Sequence, residues 1–322
     1  MAVAAADSAA ARAEAHKQVL SRRGPLPAPL FFWVILAAMS RPPTSVIAAC
    51  AMMGAALLAG CATGGLTSAT PEEQDAQAAS PANIASLTEV VQRNPNDAQA
   101  YNVRGSVLGR AGRNQEALAD FDRAIALDAN YAQAYANRGQ VHRQMNRLEP
   151  ALADYNKALA LDQNYAAAYL GRGQVYRAQG RALEALNDYN RAIQMTPNNG
   201  QAYYNRGLLY QAQGQHQFAI DDFSTAIGLI QQQAEPYIAR GLSRLALGDV
   251  KTAASDLDDA VTIDPASLNA WTSRGLAYER LGEKEKAAGS YAKALNLNKE
   301  HEAAKKGFAR VGGKTGTAYQ TF

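Results

Sequence analysis

The sequence has few of the residues that build disulfide frameworks and metal sites. Its 322 residues include only two cysteines and four histidines. Cys50 and Cys61 both lie in the first fifth of the chain, whereas a disulfide framework or a zinc ribbon needs more cysteines at other spacings. His142, His216 and His301 are far apart in the sequence. We therefore predict no metal site and no bound cofactor.

Charge is also scarce, and over most of the chain it is balanced. Charged residues make up 19% of the sequence, and the net charge is +3. Residues 1–60 contain five basic and two acidic residues, so 27 residues of each sign remain in residues 61–322. Nucleic-acid binding depends on a concentrated basic surface that neutralises phosphates. A neutral body therefore predicts no nucleic-acid partner.

The segment that begins at Met39 has the pattern of a bacterial signal peptide. Arg41 precedes an apolar stretch at residues 46–58, and this order of charge and apolar residues is typical of export signals. The tetrad Leu-Ala-Gly-Cys at residues 58–61 resembles the lipobox of bacterial lipoproteins. The alternative is a chance tetrad within a membrane anchor. The apolar stretch, however, is shorter than the roughly 20 residues that span a bilayer.

The lipobox resemblance implies that Cys61 becomes the lipidated N-terminus of the mature protein. Ala62 stands where the family's inner-membrane retention signal would place Asp. By this resemblance we expect a lipid anchor in the outer membrane of a Gram-negative bacterium, with the body facing the periplasm. We expect Met39 to be the true start within a leader at residues 1–60. Residues 61–79 are rich in small and polar side chains, which predicts a flexible tether with a reach on the order of 20–25 Å.

A motif that begins with AYNVRG at Ala100 recurs with a period of 34 residues. In each repeat, position four is aromatic, position eight is glycine, and positions twenty and twenty-seven are alanine. This pattern resembles the tetratricopeptide repeat. The six full repeats are residues 98–131, 132–165, 166–199, 200–233, 234–267 and 268–301.

Within a repeat, positions four and eight share one face of a first helix, and positions twenty and twenty-seven share one face of a second helix. Position fifteen is glycine or asparagine, which tolerate the left-handed conformation that ends a helix. We therefore predict an all-α fold, a right-handed α-solenoid of helix-turn-helix hairpins over residues 80–311. An N-terminal half-repeat, in which Leu87 and Val90 take positions twenty-four and twenty-seven, and a C-terminal capping helix cover its ends. Residues 312–322 are predicted to be a disordered tail.

Position seven of every repeat is arginine, and position twenty-three is aspartate in five of the six repeats. The arginines either bind an acidic ligand or pair with the aspartates across the hairpin, and the equal number of acids favours structural pairs. Arg274 faces Ser290 in place of an aspartate, so it is predicted to be free for another partner. The predicted structural pairs are Arg104–Asp120, Arg138–Asp154, Arg172–Asp188, Arg206–Asp222 and Arg240–Asp256.

Tetratricopeptide arrays bind partners on the first helices of their hairpins, which line a concave groove. By this resemblance the candidate partner-binding residues are Gln99, Asn102, Gln133, Gln140, Arg143, Gln174, Arg177 and Tyr204. The groove is polar in the early repeats and apolar in the later ones, where Leu208, Leu242 and Leu276 follow. Such a surface suits an extended peptide or a partner helix. A simply solvated face is the alternative, and the sequence leaves the oligomeric state open.

Two short motifs known from catalytic sites occur in parts of the chain that do not have the surroundings such a site needs. SYAK at Ser290 and KTGT at Lys314 match penicillin-binding proteins, but one lies in a repeat helix and the other in a glycine-rich tail. We therefore predict a non-catalytic scaffold for protein–protein interaction. Resemblance to envelope lipoproteins implies an adaptor for periplasmic cell-wall enzymes or an assembly factor for pili or secretion systems, and the sequence does not separate these roles. A regulatory subunit of an enzyme on another chain is the competing class.

Overall fold

The computed structural model describes residues 79–230, 232–314 and 319 of the chain. These residues form fourteen α-helices and no β-strand. The single helix α1 precedes six helix hairpins, α2/α3 to α12/α13, and α14 follows them. The predicted all-α solenoid is confirmed. The helices are α1 Pro81–Arg93, α2 Ala98–Arg110, α3 Asn114–Leu127, α4 Ala132–Gln144, α5 Leu148–Leu161, α6 Ala166–Ala178, α7 Ala182–Met195, α8 Gly200–Ala212, α9 His216–Leu229, α10 Ala234–Ala246, α11 Val250–Ile263, α12 Leu268–Leu281, α13 Lys284–Leu297 and α14 Glu302–Arg310.

The predicted leader and its lipidated Cys61 lie outside the described residues, as do residues 62–78 of the predicted tether. Within the described ranges, no helix is both long enough and apolar enough to cross a membrane.

Each hairpin turns at the residue in position fifteen. Gly180 has φ +75°, and its N–H donates to the carbonyl of Arg177 at 3.1 Å. The next N–H, of Arg181, donates to the carbonyl of Tyr176 at 2.9 Å. These paired bonds satisfy the last carbonyls of α6 and require a left-handed residue. Asn146, the one non-glycine at this position, adopts φ +56°, so the predicted left-handed turns are confirmed.

The glycine at position eight lets the two helices of a hairpin come together. A Cβ atom on Gly173 would lie 2.7 Å from Cε1 of Tyr189. On Gly275 it would lie 2.6 Å from Cε1 of Tyr291. The aromatic ring from position twenty-four therefore occupies the space that a side chain at position eight would need. Tyr189 is 0% exposed as a result.

The second helix of each hairpin packs through its two alanines. At positions twenty and twenty-seven the side chains are 0% exposed in all six repeats. Small side chains at these positions allow close approach of neighbouring helices, and the large residue between them fills the remaining space. The buried alanines are Ala117, Ala124, Ala151, Ala158, Ala185, Ala192, Ala219, Ala226, Ala253, Ala260, Ala287 and Ala294.

The two ends of the array are covered by single helices. On α1 the buried residues are Ile84 and Val91. The assignment of Val90 to position twenty-seven is wrong, because that position is buried in all six repeats whereas Val90 is 39% exposed. The buried Ile84 and Val91 are seven residues apart and therefore share one face of α1. They lie one position after the two alanine columns of the repeats.

At the C-terminal end, Ala304 and Phe308 of α14 pack against the last hairpin. Tyr319, which lies in the segment predicted to be a disordered tail, forms an edge-to-face contact with Phe308 at a ring distance of 5.8 Å. The Tyr319 hydroxyl also accepts a hydrogen bond from the backbone N–H of Lys314 at 2.7 Å.

The first helices of successive hairpins contact one another along the whole array, from α2·α4 to α10·α12 and on to α12·α14. The second helices show no comparable contact among the described elements. The first helices are therefore closer together and line the inner side of the curved array. Their exposed faces form the surface that we call the groove.

Candidate protein-binding groove

The arginines at position seven form a ladder of two-pronged ion pairs along the array. Arg172 donates from Nε and Nη2 to the two carboxylate oxygens of Asp188, both at 2.8 Å. Such fork-to-fork geometry is the strongest arrangement of an arginine with a carboxylate. The same two bonds join Arg104 to Asp120, Arg138 to Asp154, Arg206 to Asp222 and Arg240 to Asp256. We call these residues, together with Arg274, the arginine ladder.

The ladder lies at the edge of the core and not on the groove surface. The Arg172 side chain is 20% exposed and that of Asp188 is 6% exposed. The hydrogen bonds that Arg172 donates to Asp188 raise the pKa of Arg172, although burial opposes this effect. Because its donors are used within the protein, the ladder is a structural element of the hairpins.

A second hydrogen bond joins each internal arginine to the preceding repeat, and sequence reasoning missed it. Nη1 of Arg172 donates to Oδ1 of Asn156 at 2.8 Å. The acceptor lies sixteen residues before the arginine, at position twenty-five of the previous repeat. The sequence did contain a signal for this bond, because position twenty-five has a side chain that can accept a hydrogen bond in each of the first five repeats. The acceptors are Asp122, Asn156, Asn190, Ser224 and Asp258.

The prediction that Arg274 is free for a partner is wrong. Arg274 is 2% exposed. Its Nε donates to Oδ1 of Asp258 at 2.6 Å, and its Nη1 donates to Oγ of Ser290 at 2.8 Å. Asp258 in addition accepts from the Tyr278 hydroxyl at 2.7 Å. The sixth repeat has Ser290 in place of the aspartate at position twenty-three. Asp258, at position twenty-five of the fifth repeat, supplies the carboxylate instead.

The first arginine of the ladder has no preceding full repeat. In the described part of the chain, Arg104 hydrogen-bonds with Asp120 alone. The residue sixteen positions earlier is Thr88, whose hydroxyl donates to the carbonyl of Ile84 at 2.8 Å. A cavity of about 380 Å³ lies here between α1 and the first hairpin, lined in part by Thr88, Arg104 and Asp120. The ladder therefore begins without a bond to the capping helix.

The predicted groove residues lie on the first helices, and they differ in exposure. Four of them are exposed to solvent: Gln99, Gln133, Gln140 and Arg177. Three are half-buried: Arg143, Gln174 and Tyr204. The structure thus places seven of the eight where a bound segment can reach them.

Asn102 is the exception, and its assignment as a partner-binding residue is wrong. It is 2% exposed, and its side-chain amide donates to the Tyr131 hydroxyl at 3.1 Å. Its carbonyl oxygen accepts from Asn137 of the next repeat at 2.9 Å. The physical reason is the large neighbour Tyr131, which folds over the amide, so Asn102 connects two repeats and is not available to a ligand.

The groove changes character along the array. Arg143 and Arg177 are cationic, and neither forms an ion pair with an acidic residue of the described ranges. Farther along, Tyr204 packs its ring 5.9 Å from that of Phe223. Leu242 of the fifth repeat is 37% exposed. One half of the groove therefore offers guanidinium groups and amides, and the other half offers apolar side chains.

The catalytic look-alike motif at Ser290 is built into the core. Ser290 is 0% exposed, and its hydroxyl donates to the carbonyl of Lys286 at 2.8 Å while it accepts from Arg274. A substrate cannot reach this oxygen. Among residues 79–230, 232–314 and 319, no three His, Cys, Asp or Glu side chains are grouped so that they could hold a metal ion.

Family profiles match the repeats along most of the array. Profiles described as "TPR repeat" match residues 105–145, 139–180 and 173–214. Profiles described as "Tetratricopeptide repeat" match residues 200–232 and 238–304. Together these ranges cover more than half of the chain. The chain belongs to the tetratricopeptide repeat family. Members of this family bind other proteins or peptides and are in general non-catalytic scaffolds.

Solved structures with the same fold are distant in sequence. A chain of the "APC/C hetero-tetramer Cut9-Hcn1" matches with a TM-score of 0.66 and 16% identity, over 74% of this chain and 47% of that one. PilF of Pseudomonas aeruginosa matches with a TM-score of 0.61 and 19% identity, over 66% of this chain and 97% of that one.

A tetratricopeptide repeat protein from Parabacteroides merdae matches with a TM-score of 0.53 and 21% identity, over 71% and 90% of the two chains. This tetratricopeptide repeat chain thus spans about half of the Cut9-Hcn1 chain that it matches. At these identities the likeness concerns the fold alone. No protein with a curated description matches the chain.

Proposed function

We propose that this tetratricopeptide repeat protein is an envelope lipoprotein whose array binds a segment of another protein in its groove. In this proposal a lipid on Cys61 anchors it in the outer membrane, and the array faces the periplasm as an adaptor for cell-wall enzymes or as an assembly factor. The Leu-Ala-Gly-Cys tetrad at residues 58–61 supports the anchor. Several buried acyl chains, at about 0.8 kcal/mol per methylene, would hold it firmly.

The division of the groove into a cationic half and an apolar half carries the proposal. A solvated face without a ligand has no need of unpaired arginines next to exposed leucines. The half-buried Arg143 and the exposed Arg177 lie on α4 and α6, and Tyr204 and Leu242 lie on α8 and α10. A peptide or helix with both polar and apolar side chains fits such a surface.

Site-specific photocrosslinking tests the binding surface. A photoreactive amino acid at Gln140, which is exposed on α4, should crosslink a discrete partner in intact cells. The same amino acid at Asn187, which is exposed on the second helix α7, is the matched control and should give none. Crosslinks of equal yield at both positions, or none at Gln140, contradict groove binding. The partner's identity from mass spectrometry distinguishes the cell-wall role from the assembly role.

Lipid labelling tests the anchor independently. Cells fed an alkyne-tagged fatty acid should label the wild-type protein, and Cys61→Ala should abolish the label and release the protein from the membrane fraction. Cys50→Ala should abolish neither, because residue 50 is removed with the signal. A peptide from residues 1–38 in the mature protein contradicts Met39 as the start.

A further inference from the structure

The last repeat contains an internal example of how this array holds a carboxylate. The Tyr291 hydroxyl donates to Oε2 of Glu279 at 2.7 Å. Arg310 donates from Nε and Nη2 to the two oxygens of the same carboxylate, at 2.7 and 2.9 Å. Tyr291 is at position twenty-four of its repeat and Glu279 is at position twelve. A carboxylate thus lies between a tyrosine hydroxyl and a guanidinium at the groove end of the hairpin.

The second and third repeats have the same tyrosine but an arginine where the sixth has its glutamate. Tyr155 and Tyr189 are at position twenty-four, and Arg143 and Arg177 are at position twelve of the same repeats. Burial raises the pKa of Tyr155 to about 12, and the charge of Arg143 opposes this rise. Burial also raises the pKa of Tyr189, which Arg177 and Arg143 oppose. Each hydroxyl therefore lies next to a guanidinium.

These groups lack the acceptor that the sixth repeat provides. Tyr189 is 0% exposed, and in the described part of the chain its hydroxyl has no well-formed hydrogen bond. The buried Nε of Arg143 also has no partner among those residues. A buried polar atom without a hydrogen-bond partner is unfavourable, because it has lost its bond to water without a replacement. The nearby carboxylates of Asp154 and Asp188 are already held by the arginine ladder.

We propose that the guanidinium groups of Arg143 and Arg177 bind the side-chain carboxylates of an acidic peptide segment of the partner. Each guanidinium would hold a carboxylate of the partner as Arg310 holds that of Glu279. This inference rests on the proposed groove-binding function and names the chemistry of its ligand.

The spacing of the two sites favours acidic side chains over a single C-terminal carboxylate. Successive first helices in contact lie roughly 10 Å apart. An extended chain covers that distance in about three residues at roughly 3.3–3.6 Å per residue. A segment with two acidic residues about three positions apart therefore reaches both arginines, whereas a chain terminus supplies one carboxylate. Toward the fourth and fifth repeats, Tyr204 and Leu242 favour apolar residues next to the acidic pair.

Direct binding of short peptides to the purified array tests the proposal. The probe is an N-acetylated, C-amidated peptide with Glu-Ala-Ala-Glu next to two leucines, measured by fluorescence anisotropy at low salt. Replacement of both glutamates by glutamine should weaken binding by about tenfold or more, as expected for loss of charge-assisted hydrogen bonds. The glutamine peptide with a free C-terminal carboxylate distinguishes the two carboxylate sources and should stay weak.

Variants of the array test the same proposal from the side of the protein. Arg143→Gln and Arg177→Gln should each reduce affinity for the glutamate peptide several-fold, whereas Arg191→Gln, an equal charge change at an exposed position of the second helix α7, should not. Tyr189→Phe should fold normally, because Phe121 and Phe223 fill the same position in other repeats. It should bind both peptides as the wild type does, because the buried hydroxyl is not part of the site.

Equal affinity for the two amidated peptides, or equal effects of Arg177→Gln and Arg191→Gln, overturns the carboxylate site. If crosslinks at Gln140 persist in that case, groove binding stands and only the acidic ligand is wrong. If neither peptide binds at millimolar concentration and no crosslink forms at Gln140, both the ligand class and the proposed function fail.

Discussion

Arg274 donates its Nε–H to the carboxylate of Asp258 at 2.6 Å, across the boundary between the fifth and sixth repeats. In the five preceding repeats the arginine forms its paired bonds within its own hairpin. The exchange follows from one substitution, because Ser290 stands where the other repeats have aspartate. Among the described residues, Asp258 is the only carboxylate that is bonded to Arg274, which is 2% exposed.

Asp258→Asn should therefore destabilise the array by roughly 2–3 kcal/mol, since it removes the charge partner of a buried cation. The free energy of unfolding from urea denaturation measures this. Asp259→Asn is the control, because the neighbouring Asp259 is largely exposed. Partial desolvation, and then the charges of Asp256 and Asp258, raise its pKa. This variant should be neutral or slightly stabilising. Ser290→Asp should restore stability in the Asp258→Asn background. If Asp258→Asn and Asp259→Asn lose equal stability, Asp258 is not the charge partner of Arg274.

In the middle of the ladder, Asp188→Ala should lower the free energy of unfolding by roughly 2–4 kcal/mol, because it leaves the Arg172 guanidinium with only its bond to Asn156. Asn187→Ala is the matched control on the exposed face of the same helix. It should change stability by less than about 0.5 kcal/mol. Unchanged melting of Asp188→Ala shows that the ladder does not stabilise the hairpins.

A methyl group at position eight should separate the two helices of a hairpin. Gly173→Ala places a Cβ 2.7 Å from the Tyr189 ring, so overpacking should destabilise the protein by roughly 1–3 kcal/mol despite the better helix propensity of alanine. Gly228→Ala is the opposite case. Nothing lies within 4 Å of its added Cβ, so it should stabilise by about 0.5–1 kcal/mol. Thermal melting of both variants measures the difference, and a stabilised Gly173→Ala contradicts the packing account.

The C-terminal cap should weaken in acid. Hydrogen bonds from Arg310, and then from Tyr291, lower the pKa of Glu279 below its ordinary value of about 4.5. A carboxylate with a lower pKa in the folded state contributes stability that is fully present above about pH 4.5. That stability is lost as the pH falls through the folded-state pKa.

Glu279→Gln should therefore be less stable than the wild type at neutral pH, and the gap should shrink progressively below pH 4.5 or so. Urea denaturation at a series of pH values measures the gap. Glu285→Gln, at an exposed position of α13, should run parallel to the wild type. A gap for Glu279→Gln that is constant with pH contradicts the assignment.

The sequence was sufficient to predict the hairpins and the cross-hairpin contacts of the first five arginines. Periodic glycines and alanines report packing that every repeat must reproduce. For the same reason, position fifteen correctly predicted the left-handed turns, including Asn146. These features depend on residues within one repeat, whose spacing the sequence displays directly.

What the sequence did not reveal depends on neighbouring repeats. Asn102 looked like a groove residue by its position, but Tyr131 from the following loop covers it. Arg274 looked unpaired because its own hairpin lacks an aspartate, while Asp258 lies in the hairpin before. Val90 was placed by extending the repeat register into a helix that does not follow it. A pattern within one period cannot show which partner the adjacent period supplies.

The double attachment of the ladder sets how the array opens. An internal arginine such as Arg172 bonds to its own hairpin and to the preceding one, so a single interior hairpin cannot unfold without breaking bonds in both directions. Arg104 has no such bond toward α1. Unfolding of α1 should therefore disturb the neighbouring hairpin least. Amide hydrogens should exchange earliest in α1 and last in the middle hairpins.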